Sequence, residues 1–194
     1  MNEPSLHREI ETIRRMIESS RRDRCESGDI YVMWGVIVLI GTVVEVVGVH
    51  LEWSHPWLGW LLLGSVGGAY SAVITRRRVA SAKVLTYASK IEGFTWLIAA
   101  VAIASTAFIA GATGALHHDL ITPVLSLIIA VAIGTSGAVY ENRWLQASSL
   151  GFIATGTVSF FLGRPYPQLL FAAMVVVGYI MPGLAMRRAL RADE

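Results

Sequence analysis

Charge is what this sequence has least of. Only 15% of its 194 residues are Asp, Glu, Lys or Arg, where a soluble domain carries about a quarter, and 54% are hydrophobic. That shortage excludes an ordinary water-soluble domain. Polar residues are concentrated in the first 29 positions and in a few short breaks, which leaves no room for a separate globular unit. Cysteine is nearly absent as well. The single Cys25 excludes an internal disulfide and any thiol-pair chemistry, and an inert thiol is expected there. Catalytic signatures are missing too: there is no phosphate-cradling glycine loop, no HExxH pair, no nucleophile elbow. No catalytic residue is therefore named, and a non-enzymatic protein is expected. The net charge of +2 does not imply nucleic acid, because the basic residues cluster at the ends of apolar runs. The loop Arg76-Arg-Arg-Val-Ala-Ser-Ala-Lys83 lacks the interleaved aromatics of a single-strand binder.

What is present is a series of long apolar runs. A helix rising 1.5 Å per residue needs roughly 20 apolar residues to cross about 30 Å of hydrocarbon. Six runs qualify, approximately 30–49, 57–75, 94–111, 122–140, 145–162 and 169–186. They are continuously apolar, whereas the strands of a membrane barrel alternate. The expected fold is an all-α, polytopic membrane bundle of six transmembrane helices over residues 30–186, arranged as three hairpins. A cytoplasmic amphipathic helix (1–29) precedes it and a cytoplasmic tail (187–194) follows. The first run starts behind a long polar leader and has no small-residue cleavage site after it, so this span is expected to be retained rather than removed as a signal peptide.

Lysine and arginine set the orientation, since basic loops stay on the cytoplasmic side. With these spans, fifteen of the sixteen basic residues fall on one face and only Arg164 on the other. Both termini are thus expected in the cytoplasm, with the lipid bilayer as the principal surrounding and a plasma membrane as the location. Trp34, Trp96 and Trp144 lie near the inner ends of spans one, three and five, and each return span begins near a proline, Pro56, Pro123 or Pro167. Gly64-Ser-Val-Gly-Gly-Ala-Tyr70 and Gly134-Thr-Ser-Gly-Ala-Val-Tyr140 resemble one another, which points to a threefold internal repeat. Gly64, Gly67, Gly68, Gly134, Gly137 and Gly178 are the expected helix-packing positions, because small residues let backbones approach where lipid supplies no hydrophobic drive.

Glu45 is the carboxylate set within a predicted span. An ionisable group at a span centre costs at least about 2.5 kcal/mol on the insertion scale, so Glu45 is a candidate ion or proton site, with snorkelling to the outer interface as the alternative. At the outer face, His50, Glu52, His55, His117, His118 and Asp119 supply imidazole and carboxylate groups of the kind that bind a divalent metal. Solvated loop residues are the alternative, since their spacing matches no ligand signature and the adjacent pair His117-His118 cannot face one site on a regular helix. No other cofactor is implied.

In the leader, Leu6, Ile10, Ile13 and Ile17 share one helical face, and Glu11 with Arg15 and Glu18 with Arg22 are pairs four apart. Such a helix can dock on the bundle or the anionic leaflet, engage a protein partner, or pair with a second copy. The stretch Ile10-Glu-Thr-Ile-Arg-Arg-Met-Ile-Glu-Ser-Ser20, with Glu26-Ser-Gly28, Trp34-Gly35 and the later Leu150-Gly-Phe-Ile-Ala-Thr-Gly156, resembles a loose group of uncharacterised bacterial inner-membrane proteins. In that group a charged helix precedes a bundle of short spans. The resemblance implies a bacterial plasma membrane and this topology, and brings no activity. Two functional expectations follow from the residues: a sensor or accessory subunit acting through its leader, or a small transporter or channel using Glu45. A metal-binding membrane enzyme built on the outer histidines is a third.

Overall fold

The computed structural model describes residues 28–55, 57–81, 87–110 and 113–191. The leader positions Leu6, Ile10, Ile13, Ile17 and Cys25, together with Pro56, lie outside the described residues. Among the described residues there are six helices and no strand. They are α1 (Gly28–His50), α2 (Leu58–Ser81), α3 (Tyr87–Ala104, continuing as a π-helical stretch Ser105–Ala110), α4 (His118–Val139), α5 (Arg143–Ser159) and α6. The last comprises Tyr166–Val175, a π-helical stretch Val176–Ile180 and Met181–Arg191.

Five stretches are long and apolar enough to cross a bilayer: Gly28–His50, Leu58–Arg77, Ser89–Ile109, His118–Val139 and Tyr166–Arg188. The chain is thus built as a multi-pass membrane protein. The fifth expected span is shorter than the others. α5 has 17 residues, about 25 Å of helix. Its start is fixed by Asn142, whose side chain accepts from the backbone N–H groups of Trp144 and Leu145 at 3.0 and 3.3 Å. Its end tightens into i→i−3 bonds, Phe160 N–H to Thr157 O and Phe161 N–H to Val158 O.

Three boundaries differ from expectation. α3 begins at Tyr87 rather than Phe94, because the polar residues before Phe94 complete the helix's first turns instead of ending it. α4 begins at His118, so Pro123 sits inside the helix, fully buried, rather than at its first turn. α6 continues beyond Met186 to Arg191, which makes the expected tail helical over that length.

The core lies around α4, α5 and α6. Leu145, Phe152, Ile133 and Ala130 are completely buried, with Phe171, Val175 and Tyr179 packed against them. α5 meets α4 through small residues: Ser149 Oγ donates to the Ala130 carbonyl at 2.8 Å, and a Cβ added at Gly137 would lie 2.8 Å from the Gln146 backbone nitrogen. Close backbone approach of this kind is the normal way to pack helices in lipid. α2 is peripheral, with Leu61, Leu62, Val66, Tyr70 and Val73 exposed, as suits a helix facing acyl chains.

Candidate functional site

The first turn of α1 is seated on the last turns of α6. A Cβ at Gly28 would stand 2.9 Å from the Gly183 carbonyl oxygen, and one at Gly183 would stand 3.0 Å from the Gly28 oxygen. Only glycine allows both backbones this close. Asp29 Oδ1 pairs with Arg187 Nε at 2.8 Å beside this crossing. One turn further into the bundle, Tyr31 is buried, its ring 4.8 Å from that of Tyr179 and 5.9 Å from that of Trp96. Trp96 and Tyr179 complete the aromatic triad at 5.9 Å, edge to face.

Against this triad lies Glu92, 7% exposed. The Tyr140 hydroxyl donates to its Oε2, and Trp96 Nε1 donates to Ser136 Oγ at 3.2 Å. Glu92 and Trp96 are four apart on α3, and Ser136 and Tyr140 four apart on α4, so each pair shares one face of its helix. The Tyr31 hydroxyl is buried beside Ser136 and Trp96, close enough to interact with both, and within electrostatic reach of Glu92, yet no partner meets it in good hydrogen-bond geometry. Four helices, α1, α3, α4 and α6, thus converge on one carboxylate. A shallow depression of about 330 Å³, lined by Tyr140, Glu141, Asn142, Arg143, Trp144 and Met186, opens next to it at the α4–α5 turn.

Glu92 is a second carboxylate inside a candidate span, besides Glu45 in Gly28–His50, and was not among the residues expected from the sequence. The apolar run begins at Phe94, but the candidate span begins at Ser89 and includes Glu92. The legible signal was the matched spacing of Glu92 with Trp96 and Ser136 with Tyr140 at the ends of neighbouring spans. Glu45 itself is only half-buried and accepts a hydrogen bond from Trp60 Nε1 at 2.8 Å, with the Trp60 ring packed over Gly41.

The histidines and carboxylates of the turns at residues 50–55 and 117–119 are not drawn together. No group of three or more His, Cys, Asp or Glu among the described residues is placed to hold a metal ion. Asp119 instead pairs with Arg164 Nε at 2.8 Å and lies 3.4 Å from His117 Nδ1. His50, His55 and His118 are exposed. Glu52 has φ 54° and closes α1: its N–H bonds to Val49 O while Trp53 N–H bonds to Gly48 O. That is the Schellman helix ending, with Glu52 in the position glycine usually takes.

The glycines divide. Gly67 lies under Trp34 and Ile37, Gly134 against Ser149, Gly137 against the α5 backbone, and Gly178 against Met174, Phe152 and Ser148, whereas nothing lies within 4 Å of a Cβ at Gly64 or Gly68. Trp34, Trp96 and Trp144 each hydrogen-bond to the following helix. Trp34 Nε1 donates to Ser71 Oγ at 3.0 Å, Trp96 Nε1 to Ser136 Oγ, and Trp144 Nε1 to the Val177 carbonyl at 3.3 Å. Comparison with protein-family models, curated proteins and solved structures finds no match to this chain.

Proposed function

We propose that this is a non-enzymatic regulatory or accessory protein of a bacterial plasma membrane, engaging a protein partner through its cytoplasmic leader. In this reading the bundle crosses the bilayer six times as three hairpins, with both termini inside. The repeated indole hydrogen bond, one per helix pair, supports the three-hairpin repeat, and the distribution of basic residues supports the orientation. α5 joins the spans because its neighbours carry it through the core, where Leu145 and Phe152 are fully buried.

The observation that carries the regulatory reading is the seating of α1. The residues that follow the leader directly, Gly28, Asp29 and Tyr31, are gripped by α6 and the Glu92 cluster. A force or partner acting on the leader therefore acts on the buried polar centre, and a change at that centre acts on the leader. A transport reading would use the same carboxylate, Glu92, in place of Glu45. The test is in-cell photo-crosslinking from position Ile13, followed by native mass spectrometry of the gently extracted complex. One discrete additional polypeptide should be captured, and it should be lost on deletion of residues 2–26 while the bundle stays inserted. A bare chain, or capture unchanged by the deletion, removes the regulatory reading.

A further inference from the structure

We propose that Glu92 is a proton-binding site in exchange with water at the basic end of the bundle, and that its protonation sets how Tyr31, and with it the first turn of α1, seats on α6. The site itself stands on geometry; its consequence for the leader rests on the regulatory reading above.

Two independent observations meet here. Glu92 is a carboxylate almost removed from solvent inside a candidate span, a place where ionisable groups are costly and functional. Next to it the hydroxyl of Tyr31, a residue only 2% exposed, meets no partner in good hydrogen-bond geometry. A buried hydroxyl left unpaired is unfavourable, so the arrangement around Tyr31 is incomplete in one state of the site. An ionised carboxylate only accepts hydrogen bonds, whereas a protonated one also donates. Adding a proton to Glu92 therefore changes which hydroxyls it can satisfy. Tyr140 already donates to it; Tyr31 is the neighbouring oxygen still able to accept.

Among the interactions resolved for the described residues, Glu92 is faced by Tyr31 from α1, Tyr140 from α4 and Tyr179 from α6, with the Asp29–Arg187 pair one turn towards the basic end. The route for the proton is Tyr140, which is buried yet also lines the depression at the α4–α5 turn. The step is reversible transfer of one proton from water to a Glu92 carboxylate oxygen, with no other bond made or broken. Its reach to α1 is short, because the Tyr31 ring is wedged between Trp96 and Tyr179, and Tyr179 sits in the π-helical stretch of α6, a backbone form common at functional sites.

The experiment uses the purified full chain in lipid nanodiscs, with no partner present. Infrared difference spectra across a pH series should show one buried carboxylic-acid carbonyl band that titrates. It should be lost in Glu92→Gln, replaced by an aspartic-acid band in Glu92→Asp, and retained in Glu45→Gln. A fluorophore on Cys25, the chain's single thiol, should report a leader transition with the same midpoint. Tyr31→Phe should abolish that fluorescence transition while leaving the carbonyl band. A titrating band that persists in Glu92→Gln, or no titrating band in the native chain, overturns the site. A midpoint that moves with sodium concentration overturns the proton as its ligand. Leader capture failing while the band titrates removes the regulatory reading alone.

Discussion

Gly64 and Gly134 open two similar stretches, and Gly67 and Gly137 stand three residues further along each, yet the four positions differ in what surrounds them. A methyl at Gly137 would meet backbone, Gln146 N at 2.8 Å and Leu145 C at 3.1 Å. Backbone cannot rotate aside, so α4 and α5 would have to separate. At Gly67 the nearest atoms are side-chain atoms of Ile37 and Trp34, and at Gly64 there are none within 4 Å. Gly137→Ala is therefore expected to destabilise by about 1–3 kcal/mol, the usual cost of overpacking. Gly64→Ala should change stability by less than about 0.5 kcal/mol, as for a surface position. Unfolding of reconstituted protein in graded denaturing detergent measures both. Equal losses at the two sites would mean that Gly64 is packed against something outside the described residues. Sequence similarity marked these residues as equivalent. Only the neighbouring helix decides which glycine is indispensable, and no local pattern encodes that neighbour. Glu92 was hidden for the same reason. Lys90 is exposed while Glu92, two residues on, is buried, and a hydropathy window averages the two and stops short of both.

At the scale of the element, α6 shows how one proline reorganises a helix. Met181 N–H bonds to Val176 O, five residues back. The next bond of that series would need an N–H on Pro182, which has none. The Val177 carbonyl is thereby open to a donor from outside, and Trp144 Nε1 of α5 supplies it at 3.3 Å. This account makes a coupled prediction. Trp144→Phe removes the donor and should cost about 0.5–1.5 kcal/mol, the net worth of a typical hydrogen bond. In a Pro182→Ala background, where the backbone regains an N–H, the same change should cost measurably less. A double-mutant cycle on unfolding free energies tests it, and strict additivity would break the proposed link. The existence of α6 was legible from its apolar run, and the proline near its start from the preference for proline in a first helical turn. The π-helical stretches Ser105–Ala110 and Val176–Ile180 carry no periodicity of their own, since each shifts the register by a single residue. The early start of α4 was missed because the pattern places proline at a first turn, whereas the helix tolerates Pro123 in its second.

For the whole molecule the decisive element is α5. Five stretches satisfy length and hydropathy on their own; α5, at 17 residues with Gln146, Ser148, Ser149, Thr155, Thr157 and Ser159 along it, does not. Yet its Leu145 and Phe152 are among the largest fully buried side chains, and two of its hydroxyls are spent on backbone carbonyls, Ser148 on Trp144 O at 2.9 Å and Ser149 on Ala130 O at 2.8 Å. A helix wrapped by other helices need not be apolar on every face, because lipid does not touch its polar side. Length and hydropathy judge a span as if it stood alone, which is why α5, at 17 residues, falls short of them while central to the packing. If α5 crosses the bilayer, the α4–α5 turn and the α5–α6 turn must lie on opposite sides. In a Cys25→Ser background, single substitutions Ser54→Cys, Ala115→Cys and Gly163→Cys are expected to react with a membrane-impermeant maleimide in intact cells. Glu141→Cys should react only after permeabilisation. Labelling of positions 141 and 163 from the same side would make α5 a re-entrant segment. It would also put the C-terminus on the side opposite that expected from Arg187, Arg188 and Arg191, setting the basic-residue rule against the packing in a way that only the packing could win.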